Sequence, residues 1–203
     1  MTDAPFCLTL SFPKVIPSKV EAHIKRQLSE LRGLFADEEA FEELLRREDV
    51  LVYEVFEITR PEGEGELAVG VSIVHPGRVG TEFFMTKGHF HSVLETAEVY
   101  YCLQGEGFMV METPQGDTSV LALRPGTLLY VPPRWAHRSV CTSRQSDLVT
   151  VFVYPGHAGH DYRTIERQGF RKLVIDAGNG IEFVNNPRWR QEARDQEPEV
   201  RNR

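Results

Sequence analysis

The chain is short of cysteine: it holds three, Cys7, Cys102 and Cys141, with no CxxC spacing. So few thiols support neither a disulfide framework nor a thiolate zinc site, and they suit a reducing cytoplasm. No apolar run approaches the length that crosses a bilayer, so no membrane partner is expected. The opening, MTDAPFCLTLSFPKV, lacks a basic stretch followed by a long apolar one, and no signal peptide is read there. Positive charge is scarce too. A net charge of −7 argues against general nucleic-acid binding, which needs a basic surface to displace counterions from phosphates. A small anionic substrate survives that exclusion, because local donors decide its binding. Internal repeats and low-complexity linkers are also missing, which leaves one domain. Its 203 residues, 41% hydrophobic and 26% charged, are ample for a packed core.

Two helical patterns open the sequence. Ser18 and Glu21 form a capping box, and Val20, Ile24, Leu28, Leu31 and Phe35 follow at helical spacing. A second amphipathic segment runs from Asp37 to Arg47, acids first and arginines last, as the helix dipole favours. Residues 1–49 are therefore read as an N-terminal strand and helical extension packed outside the main body. From Val50 onward, short runs rich in β-branched and aromatic residues alternate with turn clusters. VLVYEVFEIT, ELAVGVSIV, AEVYYCL, GFMVMET and LVTVFVY are examples. That rhythm predicts an all-β barrel or sandwich with minor α, extending over 50–190, with Lys172–Asp176 and Ile181–Val184 as two further strands. The charged end, 191–203, reads as a flexible tail.

The chemistry concentrates in TKGHFHSVLETAEVYYCLQGEG. His89 and His91 lie two apart, so in an extended chain both imidazoles reach one face and one ion. A lone HxH is more often a polar surface feature. A second segment, GTLLYVPPRWAHRSV, alters that balance by placing His137 after a Pro-rich turn. Together the two segments resemble the paired motifs of the cupin superfamily: HxH, a spacer, Glu-x6-Gly, then Gly-x5-Pro-x-Gly-x2-His. The second motif departs in carrying Arg134 where glycine is usual. Glu95 and Glu98 compete as fourth ligand. Glu98 precedes Gly105 by the motif's interval and opens the apolar run VYYCL, so it belongs to a strand that positions it rigidly. The expected fold is thus a cupin double-stranded β-barrel, or jelly roll, holding one divalent ion with His89, His91, Glu98 and His137. His23 sits on the polar side of the first predicted helix and reads as solvated surface.

The resemblance is narrower than the superfamily. FFMTKGHFHSVLETAEVYYCLQGEGFMVMETPQGD, RPGTLLYVPPRWAHRSV, AGHDYRTI and FVNNPRW are similar to the cupin-type glucose-6-phosphate isomerases of archaea and some bacteria. That family implies interconversion of glucose 6-phosphate and fructose 6-phosphate by a homodimer in the cytoplasm. It also implies one divalent ion per subunit, Fe2+ first, with Mn2+, Ni2+ or Zn2+ tolerated. By motif match, Thr86 and Gly88 form a phosphate-binding turn, with Ser72 where the family has a threonine. Tyr53, Tyr154 and Tyr162 line the sugar, and Glu98, Tyr100 and His160 are the catalytic candidates. Lys87 reads as a surface charge, since strand neighbours face opposite ways. The rival readings are a metal-dependent cupin dioxygenase and a non-catalytic sugar-binding cupin. Use of mannose 6-phosphate stays open.

Overall fold

The computed structural model describes residues 10–11 and 16–190; the expected tail, 191–203, lies outside the described residues. The strands are β1 (Leu10–Ser11), β2 (Ile16–Pro17), β3 (Ala22–Gln27), β4 (Leu51–Thr59), β5 (Leu67–Val74), β6 (Arg78–Val79) and β7 (Glu82–Phe83). They continue with β8 (Glu98–Gln104), β9 (Gly107–Glu112), β10 (Thr118–Leu123), β11 (Leu128–Val131) and β12 (Ala136–Cys141). The last are β13 (Leu148–Pro155), β14 (Lys172–Asp176) and β15 (Ile181–Asn185). Helix α1 spans Glu38–Arg47 and α2 spans Tyr162–Gln168.

One wall is a six-stranded antiparallel sheet in the order β11-β8-β13-β5-β4-β3. The facing wall joins the three-stranded sheet β10-β9-β12 to the segment 85–90 through the bridges Met85↔Val140 and His89↔His137. The four-stranded sheet β15-β14-β7-β6 continues that wall. Two antiparallel walls enclosing one core are the cupin double-stranded β-barrel. Side-chain alternation then sorts the large sheet: Glu98, Tyr100 and Cys102 face the interior, as do Phe152, Tyr154, Ser72 and Tyr53. Gly70 matters here because a Cβ on it would lie 2.2 Å from the Phe152 ring and 2.7 Å from the Phe56 carbonyl. Without that gap the ring could not lie across the sheet and form part of the cavity floor.

The first predicted helix is not there. Residues 22–27 form β3, paired with β4, and Leu28–Leu31 make one 3-10 turn. The physical reason lies in the spacing. Positions four apart satisfy a helix, but they are also even, and β3 half-buries Ala22, Ile24 and Arg26 against alternately exposed His23, Lys25 and Gln27. Pairing with an open strand edge settles the choice. His23 is exposed as expected, but from a strand: it stacks on Phe56 and meets Glu54 Oε2 at 2.6 Å. The second predicted helix is α1, capped by Asp37, whose Oδ1 accepts from Ala40 N at 2.9 Å. Its Phe41 packs on Phe35, which in turn meets Phe84. Truncating Phe41 to alanine would cost about 3–5 kcal/mol and detach that layer.

Candidate metal centre and its cavity

His89 reaches the centre because the segment carrying it pairs with β12: His137 N donates to the His89 carbonyl at 3.1 Å and His89 N returns the bond at 3.3 Å. Their rings sit 4.6 Å apart. His91 lies two residues on, and Glu98 enters from the opposite wall at the start of β8. One donor atom from each of His89, His91, Glu98 and His137 lies within 4.8 Å of the others.

Hydrogen bonds behind the rings fix which nitrogen faces inward. Thr96 Oγ1 donates to the Val93 carbonyl at 2.6 Å, so it accepts from His91 Nδ1 at 2.8 Å. The proton is then on Nδ1, and the His91 Nε2 lone pair points at Glu98 Oε2, 3.1 Å away. The Trp135 carbonyl takes the Nδ1 proton of His137 in the same way, at 3.3 Å. His137 Nε2 sits 2.9 Å from Glu98 Oε2 without hydrogen-bond alignment, and the buried Nε2 atoms of His89 and His137 have no hydrogen-bond partner. Three imidazole lone pairs thus converge with one carboxylate in a buried space. Such a donor set suits a divalent transition metal, with outer hydrogen bonds of the kind that orient its ligands. Burial alone would raise the Glu98 carboxyl, but His137 and His91 beside it bring it down to about 2, so it stays ionised. Burial and the neighbouring rings of His137, His160 and His91 hold His89 well below the usual histidine range, hence neutral.

Glu95, the competing glutamate, is exposed on the turn and pairs with Arg134. Arg134 has φ 72°, so an arginine takes the left-handed conformation that glycine favours in the cupin motif. Its N donates to the Leu94 carbonyl at 2.7 Å, which ties the two ligand-bearing turns together.

A cavity of about 280 Å³ opens beside the four ligand side chains. His89, Glu98 and His137 lie on its wall with Tyr100, Tyr154, His160 and Tyr162. Strand register places Tyr53, Ser72, Thr86 and Ser139 further along the barrel, with Gly88 beside them. Thr86 Oγ1 accepts from Ser139 N at 3.0 Å. Gly88 has φ 76°, and a Cβ there would lie 2.6 Å from Phe170 and 2.9 Å from the His137 carbonyl, so only glycine fits. His160 comes in through the pairing of Asp161 with Phe90, and its ring sits 4.3 Å from His89 and stacks on Tyr162. Burial lowers His160 to about 4, which leaves it neutral at physiological pH. Burial, reinforced by Glu98, raises Tyr100 well above its ordinary value, and burial raises Tyr154 and Tyr162 as well; all three keep their protons.

Every site residue picked from the sequence except His91 lines this cavity, and His91 completes the ligand set behind it. Sequence reasoning missed Ile24, Arg26, Val55, Glu57, Arg60, Ser139 and Phe152, which line it too. Alternation from Tyr53 would have found Val55 and Glu57, and from His137 would have found Ser139. Arg26 was hidden by the helical reading. Lys87 is a correction: its side chain is only 19% exposed, reaches Glu166 at 2.6 Å and lies over the Tyr162 ring. The positive φ at Gly88 breaks the alternation on which the surface assignment relied.

Fold and site together define a cupin with a three-histidine, one-glutamate centre. The family model for glucose-6-phosphate isomerase (GPI) matches residues 25–190. The glucose-6-phosphate isomerase of Thermococcus gammatolerans is 50% identical over 166 residues, covering 82% of this chain and 87% of that one. That of Pyrococcus furiosus is 43% identical over 190 residues, 94% of this chain and all of its own length. A putative glucose-6-phosphate isomerase 1 of Rhizobium meliloti is 41% identical, over 82% of this chain and 78% of that one. The chain belongs to the cupin-type glucose-6-phosphate isomerase family.

Proposed function

We propose that the chain is a metal-dependent aldose–ketose isomerase interconverting glucose 6-phosphate and fructose 6-phosphate. The observation that carries this reading is the joining of two chemistries in one cavity: four converging metal donors, and a hydroxyl-lined stretch ending at the Thr86–Gly88 turn. His89, His91, Glu98 and His137 would hold one divalent ion, iron(II) by preference, with manganese, nickel or zinc as substitutes. Bound there, the ion supplies Lewis acidity that polarises a carbonyl and the hydroxyl beside it.

The chain's own residues do the rest. Thr86, Gly88 and Ser72 hold the phosphate through hydroxyl and backbone donors, and Tyr53 lines the sugar beside them. Tyr100, Tyr154 and Tyr162, all protonated, orient the sugar hydroxyls and keep water out. His160, neutral at physiological pH, accepts a proton at a ring nitrogen as the sugar ring opens. Glu98 carries the proton between carbons 2 and 1 by the enediol route. A carboxyl held down to about 2 is a weak base, so placement rather than basicity must supply the advantage. The polar turn and the tyrosines favour this over a dioxygenase, whose aromatic substrate calls for a dry pocket.

The reading includes a cytoplasmic homodimer. The outer face of the six-stranded sheet supports it, with Val99, Val151 and Val153 beside exposed Tyr101, Leu128 and Tyr130. The functional test is a coupled assay with fructose 6-phosphate. Turnover should vanish on treatment with a chelator and return with Mn2+ or Fe2+. Turnover that survives complete metal removal, or oxygen uptake in place of isomerisation, would overturn the reading.

A further inference from the structure

Four cations stand in or behind the cavity wall, and three already face a carboxylate. Lys87 meets Glu166 at 2.6 Å, Arg26 meets Glu30 at 2.9 Å and Arg60 meets Glu57 at 2.7 Å. The fourth is Arg138. It lies on β12 between His137 and Ser139, which face the cavity, so its own side chain points to the back of that wall. It is only 2% exposed. Among the described residues no carboxylate forms an ion pair with it. Its Nη1 meets the Met85 sulfur, its guanidinium lies 4.1 Å over the Phe170 ring, and its Nε has no partner. The acids nearest it in the buried layer, Glu82 and Glu112, favour its charge at longer range but take their hydrogen bonds elsewhere. Glu82 accepts from Ala36 N at 2.9 Å, and Glu112 accepts from Gln168 Nε2 at 2.9 Å and from Arg171 N at 2.6 Å. A buried cation without a direct ion pair is costly, so its retention needs a reason.

The remaining contact supplies one. Arg138 Nη2 donates to the Lys87 carbonyl at 3.2 Å. A trans peptide is planar, with its C=O and N–H pointing opposite ways. Anchoring the Lys87 carbonyl backward therefore turns the Gly88 N–H away from Arg138, on the side where Gly88 lines the cavity. The turn rests directly on this support, since a Cβ on Gly88 would lie 2.9 Å from Arg138 Cβ and 2.6 Å from Phe170. A charged donor on the carbonyl also polarises the peptide and strengthens its N–H.

We propose that Arg138 is a positioning residue for anion binding. It aims the Gly88 N–H into the cavity, and its charge strengthens that donor, through the one peptide, for the phosphate of the substrate. The proposal rests on the sugar-phosphate reading above, and its test separates the two. The protein is loaded with Mn2+ and titrated with inorganic phosphate by calorimetry, and KM and kcat are measured with fructose 6-phosphate. R138M should weaken phosphate binding and raise KM by at least about tenfold, with kcat and metal content close to the wild type. R138K, which restores the charge, should recover part of the loss; a purely structural role predicts no such split between KM and kcat. If R138M does not fold, R138Q carries the same test, because its polar side chain is neutral and two atoms shorter, and so loses both the charge and the reach to the Lys87 carbonyl. Metal-loaded variant with wild-type phosphate affinity and KM would overturn the proposal, as would a wild type that binds no phosphate. Phosphate binding that weakens in R138M, in a wild type that leaves fructose 6-phosphate unconverted, would uphold Arg138 and overturn the isomerase reading.

Discussion

The front and the back of the second wall treat buried polar groups differently. On the cavity side, the Nε2 atoms of His89 and His137 are buried without hydrogen-bond partners and converge with Glu98 and His91. Behind it, Glu112 is buried just as deeply but is met by Gln168 and the Arg171 backbone, with the Trp189 indole N–H at 3.4 Å, while Glu82 Oε1, Arg138 Nε and Arg171 Nε lack partners one by one. An unsatisfied buried polar group costs about 1–3 kcal/mol, so several donor atoms aimed at one point mark a place where something else binds. The unmatched atoms behind the wall converge on no common point, and Glu82 and Glu112 lie close enough to Arg138 to favour its charge, so the groups there hold the fold. Arg138 joins the two, lying at the back while acting on the front.

Substitutions at the front should therefore remove activity, and those at the back should move stability. The largest effect belongs to the double variant H89A/H137A. Elemental analysis should find almost no bound metal, and isomerase activity should fall below detection; full occupancy would break the assignment. E98Q comes next. It alters both the donor set and the proton carrier, so kcat should drop by about 10²–10⁴-fold, measured alongside metal content. G88V drives a branched side chain into Phe170 and Arg138, and should raise KM for fructose 6-phosphate by at least about tenfold. Metal content decides whether that loss is local, because Gly88 adjoins His89.

At the back, burial raises Glu82 to about 7 against an ordinary 4.5. The folded state therefore binds its proton more tightly than the unfolded chain. The resulting stability is present below pH 4.5 and is lost as pH rises through 7, by about 3 kcal/mol in all. E82Q cannot ionise, so the difference in unfolding free energy between pH 4.5 and pH 8 should shrink by about that amount in denaturant titrations. An unchanged pH profile would show that Glu82 titrates normally. The smallest effect is that of E95Q. Exposed ion pairs contribute about 0–1 kcal/mol, so losing the contact with Arg134 should leave kcat and metal content as they were. An inactive E95Q beside a normal E98Q would reverse the ligand choice.

Much of the site is legible in the sequence because metal ligation is a local demand. Two histidines at strand spacing, a glutamate opening a strand and a histidine after a Pro-rich turn need no long-range information to be noticed. Strands buried on one face, such as β8, announce themselves by alternation. β12 does not, because all six of its residues are buried and no alternation survives. Arg26 was out of reach for a related reason: its segment has spacings that suit a helix and a strand equally, and only the edge of β4 decides between them. Arg138 is the clearest limit. Nothing local distinguishes a buried arginine behind a turn from a surface arginine on a strand. Its meaning depends on Lys87 and Phe170, which the chain brings beside it from 51 and 32 residues away.

The central claim is best tested by following the sugar itself. Metal-loaded protein would be incubated with carbon-13-labelled fructose 6-phosphate under nitrogen, and the products read by NMR. The account predicts glucose 6-phosphate accumulating to equilibrium, and no conversion once the metal is removed. Unchanged fructose 6-phosphate in the presence of fully metal-loaded protein would contradict it.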